Sequence, residues 1–518
     1  MNGMKKNILK LIIMVLAMTA ASSCSDKLDL SPISSISDAN YWRTADQFDA
    51  FVSGLHARFR AHTSAFQTLG EMRADIFGTE PGFPNYPGTF TGEATQGVER
   101  LWLQNLDLDN PGVSGFGGFY SNIVQLNLLI EKLNSTTVVT TANKNYYLGI
   151  AYGMRAYYYF QLTRAWGDVI IQTDPVISID IANLAKAASS SAEVMTLIKS
   201  DIDKSLTSYG SDYSFKNTKS FWSKAASLML KAEVNLWTSY RGGTTADATT
   251  ALNALTEIQT NIPSLTLMTG FTTVFATNNR GNNEIIFASR NLLNEASIPF
   301  ITGSFVPQSS LLANFHDSVG ARQFSVATDN WGGLLRAPVR VSTFRKFNDK
   351  DSRKWASIQP AYSRPSPGVY VLAGCFASKY QGEQNAGSRV YSNDFPIYRY
   401  ADLLLMKAEA KIILGQDPAT EFNLVRARAF GANYVAGTIG YPNQAIDATP
   451  ANALLQERLF EFVFEGKRWH DIRRLGNSFV FANSTVLPGE AYKVLWPIDR
   501  NSWTNNRSLV QTPGYPPF

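Results

Sequence analysis

Two cysteines and four histidines in 518 residues leave little from which to build a metal centre, a disulfide scaffold or a thiol active site. The histidines, His56, His62, His316 and His470, stand without metal-ligand spacing and read as surface or core residues. Past residue 23 no apolar run reaches the ~20 residues that a membrane-spanning helix needs, so the body is expected to stay out of the bilayer. No basic block interleaved with aromatics occurs, which leaves no case for nucleic acid. Phosphate cradles and nucleophile elbows are missing as well. Gly115 to Gly118 has no third glycine in place, and Gly112 to Phe116 misses the elbow spacing by one residue. Asp107 to Gly112 begins like a calcium loop, lacks the closing Glu and reads as a turn. No metal and no cofactor is expected.

The N-terminus is the most informative stretch. Lys5, Lys6 and Lys10 precede an apolar segment of about a dozen residues, a pattern that fits a secretory signal and is too short to span. Ala21, Ser22 and Ser23 before Cys24 resemble a bacterial lipobox. The expectation is cleavage after residue 23 and acylation of Cys24, because several buried acyl chains at ~0.8 kcal/mol per CH2 hold a protein that one chain would release. Lipid on Cys24 leaves no second thiol for a disulfide to Cys375. Of 47 basic side chains those three lysines leave with the signal, so 44 face 42 acidic ones and the mature chain is close to neutral. With 45% hydrophobic residues it can bury a large core.

Residues 24–40, rich in serine, read as a tether that can extend to ~50 Å. Thr44 is placed to N-cap a helix with Phe48, Phe51, Val52, Leu55 and Phe59 on one face. Further helices are predicted at about 118–134, 142–165, 191–208, 219–240 and 246–260, then at 396–415, 418–430 and 451–474. Small residues beside bulky ones in 151–160, 225–236 and 404–410 are the texture of close-packed, tetratricopeptide-like helix pairs. Segments 63–117, 166–190 and 262–395 show no helical period and hold much of the Gly, Pro, Asn and aromatic content; a ligand site is expected there. The fold class is therefore mostly α, a helix-pair superhelix carrying a large irregular binding region. The divisions are 41–262 helical with loop insertions, 263–395 irregular, and 396–518 helical.

The densest constellation is 454–475. Glu457, Glu461 and Glu465 recur every four residues, which predicts three carboxylates stacked on one helix face, with Arg458, Lys467, Arg468, Arg473 and Arg474 nearby. Two such carboxylates could serve a glycosidase if they flanked a sugar at about 5–9.5 Å. So many cations keep every carboxylate ionised, however, and a structural ion-pair lattice of Glu457, Arg458, Glu461, Glu465, Arg468, Asp471 and Arg474 is the stronger reading.

This segment resembles the C-terminal signature of the SusD/RagB family of Bacteroidetes outer-membrane lipoproteins, Glu-Arg-x-x-Glu-Leu-x-x-Glu-Gly-x-Arg-x-x-Asp-Leu-x-Arg. Phe462 and Ile472 replace its two leucines. Tyr398 to Ala410, Asn423 to Arg428, and Trp496 to Tyr515 resemble further family segments in order, with Thr512 departing from Asn; Tyr41, Trp42, Phe119, Tyr120, Asn127, Arg155 and Trp166 to Asp168 also fit. The resemblance implies a non-enzymatic, surface-exposed lipoprotein of the outer membrane, partnered with a SusC-like TonB-dependent β-barrel, that captures oligosaccharide or, in some members, peptide. Asp26 and Asp29 after Cys24 are compatible with surface export. A surface glycoside hydrolase is the remaining alternative.

A sugar offers an apolar C–H face and a rim of hydroxyls, so its site wants a flat aromatic beside amide, carboxylate or Arg groups. Two loop regions combine them: Arg73, Asp75, Phe83, Asn85, Tyr86 and Trp102 in the first, Asp329, Asn330, Trp331 and Arg336 in the second. Trp331, flanked by Asn330 and two glycines, is the leading single candidate.

Overall fold

The computed structural model describes residues 41–78, 96–113, 115–175, 185–319, 322–443 and 445–518. The signal segment, Cys24, the tether and the candidates Phe83, Asn85 and Tyr86 lie outside the described residues.

Thr44 opens helix α1 (Ala45–Ala61) with a reciprocal cap: its side chain accepts from the Gln47 N–H, and the Gln47 side chain accepts from the Thr44 N–H at 3.0 Å. Phe48, Val52, Leu55 and Phe59 then face inward, as their spacing requires. Helix α2 (Thr63–Glu71) follows at once. The chain then builds a run of packed helices: α3 (Gly115–Ser135), α4 (Thr141–Trp166), α5 (Ser191–Tyr209), α6 (Lys224–Ser239) and α7 (Thr245–Asn261). Its continuation is α8 (Tyr400–Ile413), α9 (Ala419–Phe430), α10 (Pro450–Phe462) and α11 (Arg468–Leu475). From α4 to α9 each helix packs on its predecessor, α10 packs on α8, and the contact of α7 with α8 joins the two helical halves into one superhelix across the irregular region. The molecule is mostly α and tetratricopeptide-like. Among the described residues no helix is long and apolar enough to cross a membrane.

Helix α4 is buried at nearly every position from Tyr146 to Trp166. The small-beside-bulky texture does its work here. A Cβ on Gly153 would fall 2.1 Å from the Trp222 indole nitrogen, so only glycine lets that ring lie against the helix. Arg155 of α4 pins α5 by two bonds of 2.7 Å to the Asp201 carboxylate.

The region 262–395 is less irregular than the sequence suggests. It holds β1 (Ile285–Ser289), a hairpin of β2 (Ile358–Ser366) and β3 (Val369–Ala377), and a short hairpin of β4 (Glu383–Asn385) and β5 (Ser388–Val390). Strand β6 (Phe395–Arg399) pairs antiparallel with β1, Ile285 opposite Arg399 and Ser289 opposite Phe395. That pairing takes the first residues of the predicted 396–415 helix and delays α8 to Tyr400. Residues 301–305 form a π-type turn, and α2 occupies part of the stretch expected to be irregular after residue 62.

One helix is divided. The period in 451–474 predicts a single helix, but the chain turns at Val463 and Phe464 (φ +69°) and α11 starts only at Arg468. The Phe464 and Gly466 N–H groups donate to the Glu71 carboxylate at 2.6 and 3.0 Å, and the Phe464 ring seats against Phe77 and Phe305. These contacts offset the roughly 1–3 kcal/mol of a left-handed non-glycine residue.

Candidate functional site

The first loop region corrects the sequence reading. Arg73 is fully enclosed. Its guanidinium lies 4.8 Å from the ring centres of both Trp469 and Trp496 and donates to Gln104 at 2.7 Å and to the carbonyls of Leu495 and Lys493. Burial lowers its pKa to about 10. Asp75 accepts from Arg468 at 2.9 Å and Lys346 at 2.7 Å; burial pushes its carboxyl up, and those two cations outweigh burial and hold it below the usual range. Trp102 is 3% exposed. Arg73 and Asp75 tie the end of α2 to α11 and to the C-terminal segment, and with Trp102 buried as well none of the three forms an open platform. The period-free sequence around them could not separate a core aromatic or a buried ion pair from a binding platform.

The second region does assemble on the surface. The Asp329 carboxylate takes a two-pronged contact from Arg322 at 2.5 and 3.0 Å and accepts from the Ser325 N–H. The amides of Asn330 and Gln384 bond reciprocally at 3.1 and 2.6 Å, and Asn330 also donates to the Gly387 carbonyl. This seats the β4–β5 hairpin on the loop. Trp331 departs from expectation: it is 6% exposed, packed edge-on to Phe376, with the Arg389 guanidinium 4.5 Å over its ring. Its carbonyl accepts from the Tyr391 hydroxyl at 2.6 Å. Trp331 is thus the floor beneath Arg389 and not an open platform. Arg336 is half-buried, and its Nε has no hydrogen-bond partner among the described residues.

The two loop regions share a face at their stems. The Gly78 N–H donates to the Pro338 carbonyl at 3.0 Å, and Arg340 donates through its backbone and its Nε to the carbonyls of Ile76 and Phe77. Residues 334–337 are bonded in turn to the 301–305 turn. The 322–340 loop and the β4–β5 hairpin carry the Asn330–Gln384 amide pair, the Asp329–Arg322 pair and the Arg389 guanidinium, groups of the kind that hydroxyl-rich ligands call for. Gln384 and Arg389 were not legible as partners, because the hairpin meets the loop across more than fifty residues and nothing local marks the pairing; Arg322, seven residues before Asp329, is a local partner that the sequence reading passed over.

The carboxylates of 457–471 lie on none of this surface. Glu461 is fully buried and contacts Arg399 at 2.5 Å, Arg353 at 3.0 Å and Arg428. Glu465, carried past the end of α10 by the turn at Phe464 and so off the helix face predicted for it, meets Arg399 at 2.9 Å and Lys379 at 2.7 Å. Glu457 meets Arg353 and Arg426 at 2.7 and 2.8 Å. Arg458 bridges Asp402 and Asp471, Arg474 bridges Asp471 and Glu409, and Arg468 takes Asp75. Glu284, on the turn before β1, closes the lattice against Arg399 and Arg428. Burial alone would raise the Glu461 pKa; Arg428, Arg399 and Arg353 reverse that and hold it well below the carboxylate range. A carboxyl so held has no proton to give at neutral pH, and a sugar has no path to it, so these residues form no glycosidase pair.

The fold defines a class of protein: a helical-repeat scaffold carrying a long loop-rich insertion. The chain belongs to the SusD family. The SusD family profile matches residues 345–515, and a second, described as "Starch-binding associating with outer membrane", matches residues 97–261. B. fragilis NanU is 43% identical in structural alignment, covering 94% of this chain and 100% of its own, with a TM-score of 0.85. A SusD superfamily protein from Bacteroides vulgatus is 38% identical over 92% of this chain and 100% of its own, with a TM-score of 0.83. The SusD-like protein P38 of Formosa agariphila is 27% identical, covering 98% of this chain and 99% of its own.

Proposed function

We propose that the chain is a lipid-anchored protein of the outer-membrane surface that captures oligosaccharide on the 322–340 and 383–390 face and delivers it to a SusC-like TonB-dependent transporter. The observation that carries this reading is membership, along nearly the whole chain, in a family one of whose profiles is described as starch-binding and outer-membrane-associating. The amide and guanidinium array supports it, since hydroxyl rims are read by directed donors and acceptors. Acylated Cys24 and its tether supply the attachment. The chain works as a binder and not as a hydrolase, in keeping with the burial of its carboxylate lattice.

Isothermal titration of the full-length protein against host-derived and dietary glycans, with peptide digests as a second arm, tests the proposal. A glycan should bind, and the Asn330→Ala/Gln384→Ala double variant, which removes the amide pair, should weaken it at least tenfold. Binding of peptide alone would assign the scaffold to peptide capture. Unchanged glycan affinity in the double variant would place the site elsewhere.

A further inference from the structure

Away from that face, a cleft of about 330 Å³ opens between α1, the turn before α6 and the end of β1. This lies within the range of about 300–1,000 Å³ typical of small-molecule sites. One wall is a stacked pair: the rings of His56 and Phe221 lie 4.2 Å apart and 4° from parallel. His56 is locked in place, its Nδ1 bonding the Val52 carbonyl at 2.8 Å and its Nε2 accepting from the Trp222 N–H at 3.0 Å. Burial keeps the ring neutral, its pKa lowered to about 4. Facing the stack are polar groups of three kinds. Arg60 holds Glu295 at 2.6 Å, which fixes a guanidinium and a carboxylate at the rim. Ser289 is 4% exposed and lines the cleft with a hydroxyl that has no hydrogen-bond partner among the described residues, and the buried Nε of Arg290 is in the same condition. Buried polar atoms are paired as a rule, so two orphans on residues that line one cleft call for an occupant that brings its own donors and acceptors.

We propose that this cleft is a second saccharide site, taking one sugar ring or the end of a short oligosaccharide against the His56–Phe221 wall, with ring hydroxyls on Ser289 and Arg290. A flat apolar wall beside a hydroxyl, a guanidinium and a carboxylate is the combination that the two surfaces of a pyranose demand. The site shares no residue with the 322–340 and 383–390 face, so it stands or falls independently of the function assigned there. Two sites on one chain would retain a long glycan through its second contact at little added cost.

Saturation-transfer NMR on the full-length protein, with D-galactose, N-acetyl-D-glucosamine and D-glucuronate as probes, tests this directly. At least one sugar should receive saturation on its ring protons. The signal should fall at least fivefold in Ser289→Val and in Ser53→Tyr, which plugs the cleft mouth from an exposed position of α1 and leaves the core untouched, and it should persist in Asn330→Ala/Gln384→Ala. Transfer to none of the three sugars, transfer unchanged in Ser53→Tyr, or transfer lost only in Asn330→Ala/Gln384→Ala would each overturn the proposal, leaving the two orphan groups to water.

Discussion

Arg399 shows at the scale of one residue how the lattice is built. Fully buried at the end of β6, it meets the carboxylates of Glu284, Glu461 and Glu465 at 2.7, 2.5 and 2.9 Å. Pairs of this kind add little net stability over apolar packing, but removing one partner strands the others in a low dielectric. Glu461→Gln is therefore expected to destabilise the protein by about 3–5 kcal/mol in urea denaturation, and a variant as stable as wild type would show that the lattice tolerates the loss. Glu71 predicts a pH dependence of opposite sign to an ordinary salt bridge. Burial raises its pKa from 4.5 to about 7, against the Gly466 and Phe464 N–H groups that favour its charge. A raised folded pKa means stability that is fully present below pH 4.5 and is lost as pH rises through about 7. The loss should approach roughly 3 kcal/mol, and Glu71→Gln should flatten that part of the stability–pH curve. Asp402 works the other way: burial pushes it up, Lys467 and Arg458 bring it down to about 2, and its contribution disappears as pH falls through that value. The spacing of Glu457, Glu461 and Arg458 made the lattice legible. Arg353, Lys379 and Glu284 were hidden because nothing in their local sequence states which distant carboxylate or guanidinium they face.

Helix elements were legible where one face is apolar and an end is capped, as in α1, α5 and α7. The reading failed where tertiary contacts override local periodicity. Strand β6 was read as the start of α8 because its residues Phe395–Arg399 are all buried and carry no alternation, leaving pairing with β1 as the deciding interaction. The division between α10 and α11 has the same origin, since the Glu71 carboxylate captures two N–H groups that a continuous helix would have used itself. Gly466 is the critical position of this turn. Its φ is +71°, and an added Cβ would lie 2.9 Å from the Gln67 Cα. Gly466→Ala is expected to lower the melting temperature by several degrees; a melt within a degree of wild type would show that α2 gives way easily.

At the scale of the whole molecule, α7 against α8 and β1 against β6 join the two helical halves across the long insertion. Fold class and the carboxylate lattice followed from sequence because they rest on periodicity and dense local charge. The loop residues Asp329, Asn330 and Trp331 were picked out from sequence, but their partners were not, because Asn330 pairs with Gln384 and Trp331 with Arg389 only in the folded chain. Trp331→Ala should therefore weaken glycan binding indirectly, by removing the floor beneath Arg389, and Arg389→Ala should do so with less loss of stability. The central claim is that this face binds glycan. Its most direct test is titration of the full-length protein and of Asn330→Ala/Gln384→Ala with the same glycan panel. The account predicts saturable binding to at least one glycan, weakened at least tenfold in the double variant; equal affinity in the two proteins, or no glycan bound by either, would contradict it.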